Sequence, residues 1–225
     1  MKEYQYLYKY YDKLLNDNEY LIQLIKHATS LIKGNNILDM ACGTGNASII
    51  FNELGYNVKA FDINDKMIEY AKEKNNNINY YIDDMLTFKL NNIDLIVCYM
   101  DSLNYINNLN DIEIIFNNVY NTLNNNGYFI FDYHSIQCLN RYKEEYIEEG
   151  IIDNTNYQWT IISDDNMLLS TFVFYEEYTK VEQHNQYIFD IKLIQDILLK
   201  IGFKVNITPM SDEKYYIQCK KELIW

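Results

Sequence analysis

Ile37-Leu38-Asp39-Met40-Ala41-Cys42-Gly43-Thr44-Gly45-Asn46 runs from an apolar stretch through an acid into a glycine-x-glycine turn, with a helix-compatible stretch beyond. This order predicts a buried strand, a tight turn and then a helix N-terminus. The glycines permit φ > 0 and let a ligand approach the backbone closely. Asp39 bears on which ligand that is. A pyrophosphate site offers a bare helix N-terminus with no carboxylate beside it. An acid here suits a positively charged group such as an α-ammonium. The third glycine of a dinucleotide fingerprint is also missing, because position 48 is Ser48. Both features disfavour NAD.

Outward from this stretch, strands and helices alternate. The pattern predicts strands over 37–40, 58–61, 78–82, 93–98 and 128–132, with helices over 46–54, 65–74 and 111–123 between them. Such alternation implies a parallel sheet covered by helices on both faces. Two helices precede it, over 4–15 and about 21–32. After residue 132 the rhythm breaks. Residues 157–163, 168–178 and 181–189 read as three consecutive strands with no helix between them, an antiparallel insertion after the fifth strand. A helix over 191–201 and strands over 204–208 and 215–220 close the chain. The fold class is α/β, Rossmann-like, with a seven-stranded, mostly parallel sheet whose last strand is antiparallel. We read 1–225 as a single domain, with 1–33 as N-terminal helices and 151–190 as the insertion.

Composition narrows the function. The formal net charge is −13, with 32 acids against 19 bases, and Arg141 is the sole arginine. Phosphate-tracking proteins gather Lys and Arg into a basic face, so nucleic acid and anionic membrane surfaces are disfavoured as partners. An acidic shell suits a cationic ligand, and solubility explains it equally well. Cys42, Cys98, Cys138 and Cys219 are scattered and show no metal-site or disulfide spacing. No apolar run is long enough for a membrane span, and no signal-peptide core is apparent. The expected setting is cytoplasmic.

The strand–acid–glycine-x-glycine segment resembles motif I of class I S-adenosylmethionine-dependent methyltransferases, with Ala41 where the family often has glycine. Asp62 ends the second strand, where the resemblance implies hydrogen bonds to ribose hydroxyls. Asp83-Asp84-Met85 follows the third strand. There the resemblance implies that Asp84 receives the adenine amine and Met85 packs on the ring. The implied cofactor is S-adenosylmethionine. Its implied contacts are Tyr11, Asp39, Ala41, Gly43, Gly45, Asp62, Ile63, Met67, Asp84, Met85 and Tyr99, with the N-terminal helices as a cover and Tyr4 as a second tyrosine candidate. Further stretches, including Tyr10-Tyr11-Asp12, Asp101-Ser102-Leu103-Asn104-Tyr105 and Glu182-Gln183-His184-Asn185-Gln186-Tyr187, resemble small bacterial methyltransferases.

Methyl transfer must align a nucleophile and, where needed, remove a proton. His184 is the first candidate base. Glu182 shares its strand face by period two, and a carboxylate there would fix the imidazole tautomer. Tyr187 is the expected helper in binding the acceptor. His134 and Asp101 are the next candidates, while His27 reads as structural. Nothing suggests a metal. The aromatic insertion could close over the site as a lid. The function read from this is methyl transfer to nitrogen or oxygen of a small molecule, with nitrogen favoured by the charge and the aromatic lid. The rivals are methylation of a protein or RNA, and a non-catalytic cofactor-binding partner. The oligomeric state is not legible. Filter binding to tRNA and duplex DNA at physiological salt is expected to show only weak nonspecific association. Submicromolar binding with a steep salt slope overturns that exclusion.

Overall fold

The computed structural model describes residues 4–15 and 18–222. The outermost parts of the expected 1–225 domain, 1–3 and 223–225, lie outside the described residues, as do 16 and 17. The central sheet has seven strands: β1 (Asn36–Met40), β2 (Asn57–Asp62), β3 (Asn79–Ile82), β4 (Ile93–Cys98), β5 (Leu123–His134), and two from the C-terminal part, β10 (Phe203–Ser211) and β11 (Lys214–Lys221). Their order is β10-β11-β5-β4-β1-β2-β3. β1 to β5 pair in parallel, and β11 runs antiparallel to both β5 and β10.

The strands read as continuous apolar runs because both faces are covered. Leu38, Met40, Ile96, Cys98, Phe129 and Phe131 face one core, packed with Phe116, Val119 and Leu198 from α5 (Leu109–Thr122) and α7 (Ile191–Ile201). Ile37, Leu95, Val97 and Ile130 face the other, against α2 (Asn18–Leu31), α3 (Asn46–Glu53) and α4 (Asp65–Lys74) through Ile25, Ala28, Phe51 and Ile68. Asp39 alternates onto this second face, and this parity aims it at α3.

The expected three-stranded insertion has four strands. They are β6 (Tyr146–Ile152), β7 (Thr155–Asp164), β8 (Met167–Tyr175) and β9 (Thr179–Tyr187), in the order β6-β7-β8-β9 with every pair antiparallel. Thus the sheet begins before residue 151. The unforeseen strand is β6. It is an edge strand whose only buried residue is Ile152, and Glu148, Glu149 and Gly150 dilute its pattern. A short helix, α6 (Ile136–Arg141), lies between β5 and this sheet. The first expected helix, 4–15, resolves into a 3₁₀ turn at Leu7–Lys9 and a single helical turn, α1 (Tyr11–Leu14).

The second sheet does not pack on the first alone. Its inner face carries Phe172 and Phe174, which form a cluster with Leu7, Tyr10 and Ile152. Tyr10 stacks on Phe174 at 4.7 Å and Trp159 on Phe172 at 5.2 Å between ring centroids. The N-terminal segment therefore packs on the inner face of the second sheet.

The turn after β1 needs its glycines for different reasons. Gly43 has φ +53 and Gly45 φ +78. A Cβ on Gly43 would meet nothing within 4 Å, whereas one on Gly45 would collide with the Tyr80 hydroxyl and press on Ala71. We expect Gly43→Ala to cost about 1–2 kcal/mol, the left-handed backbone penalty alone. Gly45→Ala adds overpacking, which is about 1–3 kcal/mol in other cores, so its thermal midpoint should fall distinctly further. Equal losses in the two variants would refute this division of roles.

Candidate functional site

The carboxyl ends of β1, β2 and β4 open into a cavity of about 470 Å³. In open α/β sheets ligands bind at this edge. Of the residues expected to meet the cofactor, Tyr11, Asp39, Ala41, Gly43, Asp62, Ile63, Met67, Met85 and Tyr99 line this cavity. Gly45 stands behind the wall, against Tyr80. Asp84 is not among the lining residues. Its Oδ1 accepts the Leu86 N–H at 2.9 Å and closes its own turn. Residues the sequence did not single out also line it, among them Thr44, Asn46, Asn64, Met100, Ser102 and Tyr105. Thr44 and Asn46 could have been found, since they sit within the glycine stretch itself.

Asp39 is 2 % exposed, and Ser48 Oγ on α3 donates to its Oδ2 at 2.5 Å. Burial raises its pKa to about 7, against the lowering effect of the Ser48 bonds and with a small upward push from Asp62. Asp62 works as a clasp. Its Oδ2 accepts the Gly43 N–H at 2.9 Å and its Oδ1 the Asn64 N–H at 2.9 Å, which fixes the end of β2 to the glycine turn. Burial raises its pKa too, while those amides hold it down. Asn64 then caps α4, accepting from the amides of Lys66 and Met67. Ile63 at the cavity is 70 % exposed, a largely uncovered apolar surface.

Asp12 ties the N-terminal segment to this site. Its carboxylate accepts from Thr44 Oγ1, from Asn46 Nδ2 at 2.9 Å and from Lys74 Nζ at 2.6 Å. Tyr4 and Tyr11 thereby stand in the cavity wall.

A second cavity, of about 200 Å³, lies against the first. Tyr4, Tyr11, Met100 and Tyr105 line both. The remaining walls include Trp159, Phe172 and His184 from the second sheet, with His134 at the end of β5 and Asp101 and Glu213 from loops beside the central sheet. Asp101 belongs to a buried charge cluster. Lys214 Nζ donates to Asp101 Oδ2 at 2.8 Å and to Asp132 Oδ2 at 3.1 Å, and His134 Nε2 is 3.4 Å from Asp101 Oδ2. Burial alone would raise the pKa of Asp101, but His134 and Lys214 bring it below the ordinary carboxylate value. Asp132 goes the other way, raised by burial and by the neighbouring Asp101.

Glu182 and His184 do share a face, as expected, and they point inward at 1 % and 3 % exposure. His184 Nε2 is 2.7 Å from Glu182 Oε1, and its Nδ1 is 3.1 Å from Tyr105 Oη. Both ring nitrogens are therefore engaged within the protein. Tyr187 falls on the opposite face by the same period of two and lines neither cavity. Gln186 takes the cavity-lining position instead. What Tyr187 supplies is its carbonyl, which accepts from Asn104 Nδ2 at 2.9 Å. Asn104 Oδ1 accepts in turn from the His134 N–H at 3.2 Å, so this residue pins the 3₁₀ turn Ser102–Tyr105 between β5 and β9. Among the described residues no group of three His, Cys, Asp or Glu is placed to hold a metal, and no helix is long and apolar enough to cross a membrane.

Residues 31–201 match the family model described as "Methyltransferase domain". YqeM of Bacillus subtilis (strain 168), which carries a provisional methyltransferase name, is 28 % identical over 215 residues, covering 90 % of this chain and 87 % of that protein. An S-adenosylmethionine-dependent methyltransferase from Clostridium acetobutylicum ATCC 824 superposes with a TM-score of 0.83 at 23 % identity, covering 97 % of this chain and 99 % of that one. The sugar N-methyltransferase KedS8 from Streptoalloteichus sp ATCC 53650 does so with a TM-score of 0.80 at 13 % identity, covering 99 % and 95 %. The family match takes in most of the chain, and the strand order, the glycine turn and the acids at the sheet edge agree with it. The chain belongs to the methyltransferase domain family and is a class I S-adenosylmethionine-dependent methyltransferase.

Proposed function

We propose that this enzyme methylates the nitrogen of a small amine. The observation that carries this reading is the smaller cavity. It abuts the glycine-turn cavity through Tyr4, Tyr11, Met100 and Tyr105, it is metabolite-sized, and its wall holds Asp101 and Glu213 as well as Trp159 and Phe172. Carboxylates and aromatic faces are the surroundings that attract a cationic amine. The net charge of −13 points the same way. So does the likeness to KedS8, a protein named as a sugar N-methyltransferase.

In this reading the larger cavity holds the cofactor, and its lining has the chemistry for that. Asp62 keeps a lone pair for ribose hydroxyls beyond the backbone amides of Gly43, Ile63 and Asn64 that it accepts. Asp39 supplies negative charge for the α-ammonium. Ile63, Met67 and Met85 offer an apolar flank for the base, and Gly43 lets the backbone come close. Asp84 is left out of this set because it does not line the cavity. When bound, S-adenosylmethionine supplies an electrophilic methyl group on a sulfonium. The protein's part is to orient the two partners and exclude water, and Tyr4 and Tyr11 in the common wall do both.

The test is transfer of labelled methyl from S-adenosylmethionine to a panel of aminosugars, aliphatic amines and polyamines, run beside matched hydroxyl compounds, catechol, tRNA and proteins. Label should appear on amines. Label confined to hydroxyls, or to macromolecules, overturns the assignment.

Asp39 gives a second expectation. Its folded pKa of about 7 exceeds its unfolded value of 3.8. This group therefore favours the ligand-free fold below pH 4, and that contribution is lost as pH rises through 7. A bound ammonium requires the ionised form. The affinity for S-adenosylhomocysteine should thus rise between pH 6 and 8, by up to about tenfold per unit below the pKa. In Asp39→Asn the affinity should fall and this slope should flatten. Calorimetric titration at several pH values checks it, and an unchanged slope in the variant removes Asp39 from the role.

A further inference from the structure

A chain of hydrogen bonds runs from the second sheet to the wall between the cavities, and its direction can be worked out. It begins at Glu182. Oε2 of this buried carboxyl accepts the N–H groups of Tyr6 at 2.7 Å and Leu7 at 3.0 Å. Burial opposes its ionisation, but His184 and those amides outweigh that and hold its pKa below the ordinary value. A carboxylate can only accept, so the His184 nitrogen facing Oε1 carries the proton, and that nitrogen is Nε2. A neutral imidazole has one N–H. Nδ1 is then a lone pair, and the Tyr105 hydroxyl 3.1 Å away must donate to it. Tyr105 has a single proton. The 2.7 Å bond between the Tyr4 and Tyr105 hydroxyls is therefore donated by Tyr4. The remaining lone pairs of the Tyr4 oxygen belong to a residue that lines both cavities.

We infer that Glu182, His184, Tyr105 and Tyr4 form a polarised proton wire, in which the Tyr4 oxygen accepts an N–H of the incoming ammonium and His184 is the proton's destination. The source of the proton rests on the amine reading above; the polarity does not. An amine arrives protonated and cannot attack until it loses that proton. One proton passes from the ammonium to the Tyr4 oxygen as the proton of Tyr4 moves to Tyr105 and that of Tyr105 moves to His184 Nδ1. The electron pair of the broken N–H bond stays on nitrogen as the nucleophilic lone pair. Both phenols are neutral before and after, and the imidazolium formed lies beside the Glu182 carboxylate. Once the product leaves, the proton returns along the same path to water. His184 is a positioning residue in this scheme and acts through Tyr105 and Tyr4. It is hemmed in by the Tyr4 and Phe172 rings at 4.6 and 5.6 Å.

Two measurements test this. The first is ¹H–¹⁵N spectroscopy of the imidazoles in the full-length protein loaded with S-adenosylhomocysteine, with His184 assigned by the signal lost in His184→Asn. Near neutral pH, Nε2 of His184 should be protonated and Nδ1 bare, and Tyr105→Phe should shift the Nδ1 resonance. A protonated Nδ1, in either the opposite tautomer or an imidazolium, reverses the chain and overturns the proposal. The second is steady-state kinetics with whichever amine the panel shows to be methylated. Tyr105→Phe should lower kcat by about 10²–10³-fold with little change in the amine's KM. That deficit should shrink as the pH approaches the amine's own pKa, where the proton is already gone. A deficit equal at every pH makes Tyr105 merely structural and overturns the relay. If no amine is methylated while the tautomer is as stated, the amine reading fails and the polarity stands.

Discussion

A single buried carboxylate holds the architecture of the site together. Glu182 sits on the second sheet, yet two of its bonds are to backbone amides of the N-terminal segment and a third is to His184. The cost of burying a charge is large unless every lone pair finds a donor. These donors come from parts of the chain far apart in sequence, so the carboxylate is stable only where the N-terminal segment and the second sheet meet. Asp12 repeats the device at the other end of the segment, against Thr44, Asn46 and Lys74. With the segment fixed at these two places, Tyr4 and Tyr11 are held in the cavity wall without belonging to either sheet.

The core of the central sheet was legible because its strands are buried on both faces. Continuous runs such as Ile93–Cys98 have no other reading once helices alternate with them. The glycine turn was legible because a left-handed backbone leaves few residue choices. What the sequence concealed is what depends on contacts between distant segments. β6 has the exposure of an edge strand and almost no pattern. Asn104 and Tyr105 lie in a stretch recognised only as a resemblance, and their importance comes from reaching across to Tyr187 and His184. For Tyr187 the alternation that pairs Glu182 with His184 puts residue 187 on the other face, away from both cavities.

The Asp101, Asp132 and Lys214 cluster shows how such a site keeps negative charge under cover. Two carboxylates close together would not both ionise unaided. Lys214 between them is held charged by the pair, and burial is outweighed. Tyr20 adds a hydroxyl donor to Asp132 at 3.2 Å. The result favours a charged Asp101 at the edge of the smaller cavity while Asp132 remains enclosed.

The two cavities draw their walls from different inheritances. The larger is built almost wholly by the turns and helix starts of the parallel sheet, whereas much of the smaller is made of side chains from β7, β8 and β9. In those strands, one residue in two faces inward and its neighbours face solvent. A substitution at Trp159, Ile161, Leu168 or Ser170 therefore reshapes one chamber and leaves the other intact. The small chamber's shape is thus set one strand position at a time, apart from the glycine turn. Among the described residues the two chambers share only Tyr4, Tyr11, Met100 and Tyr105, so the shape of one is decoupled from the lining of the other.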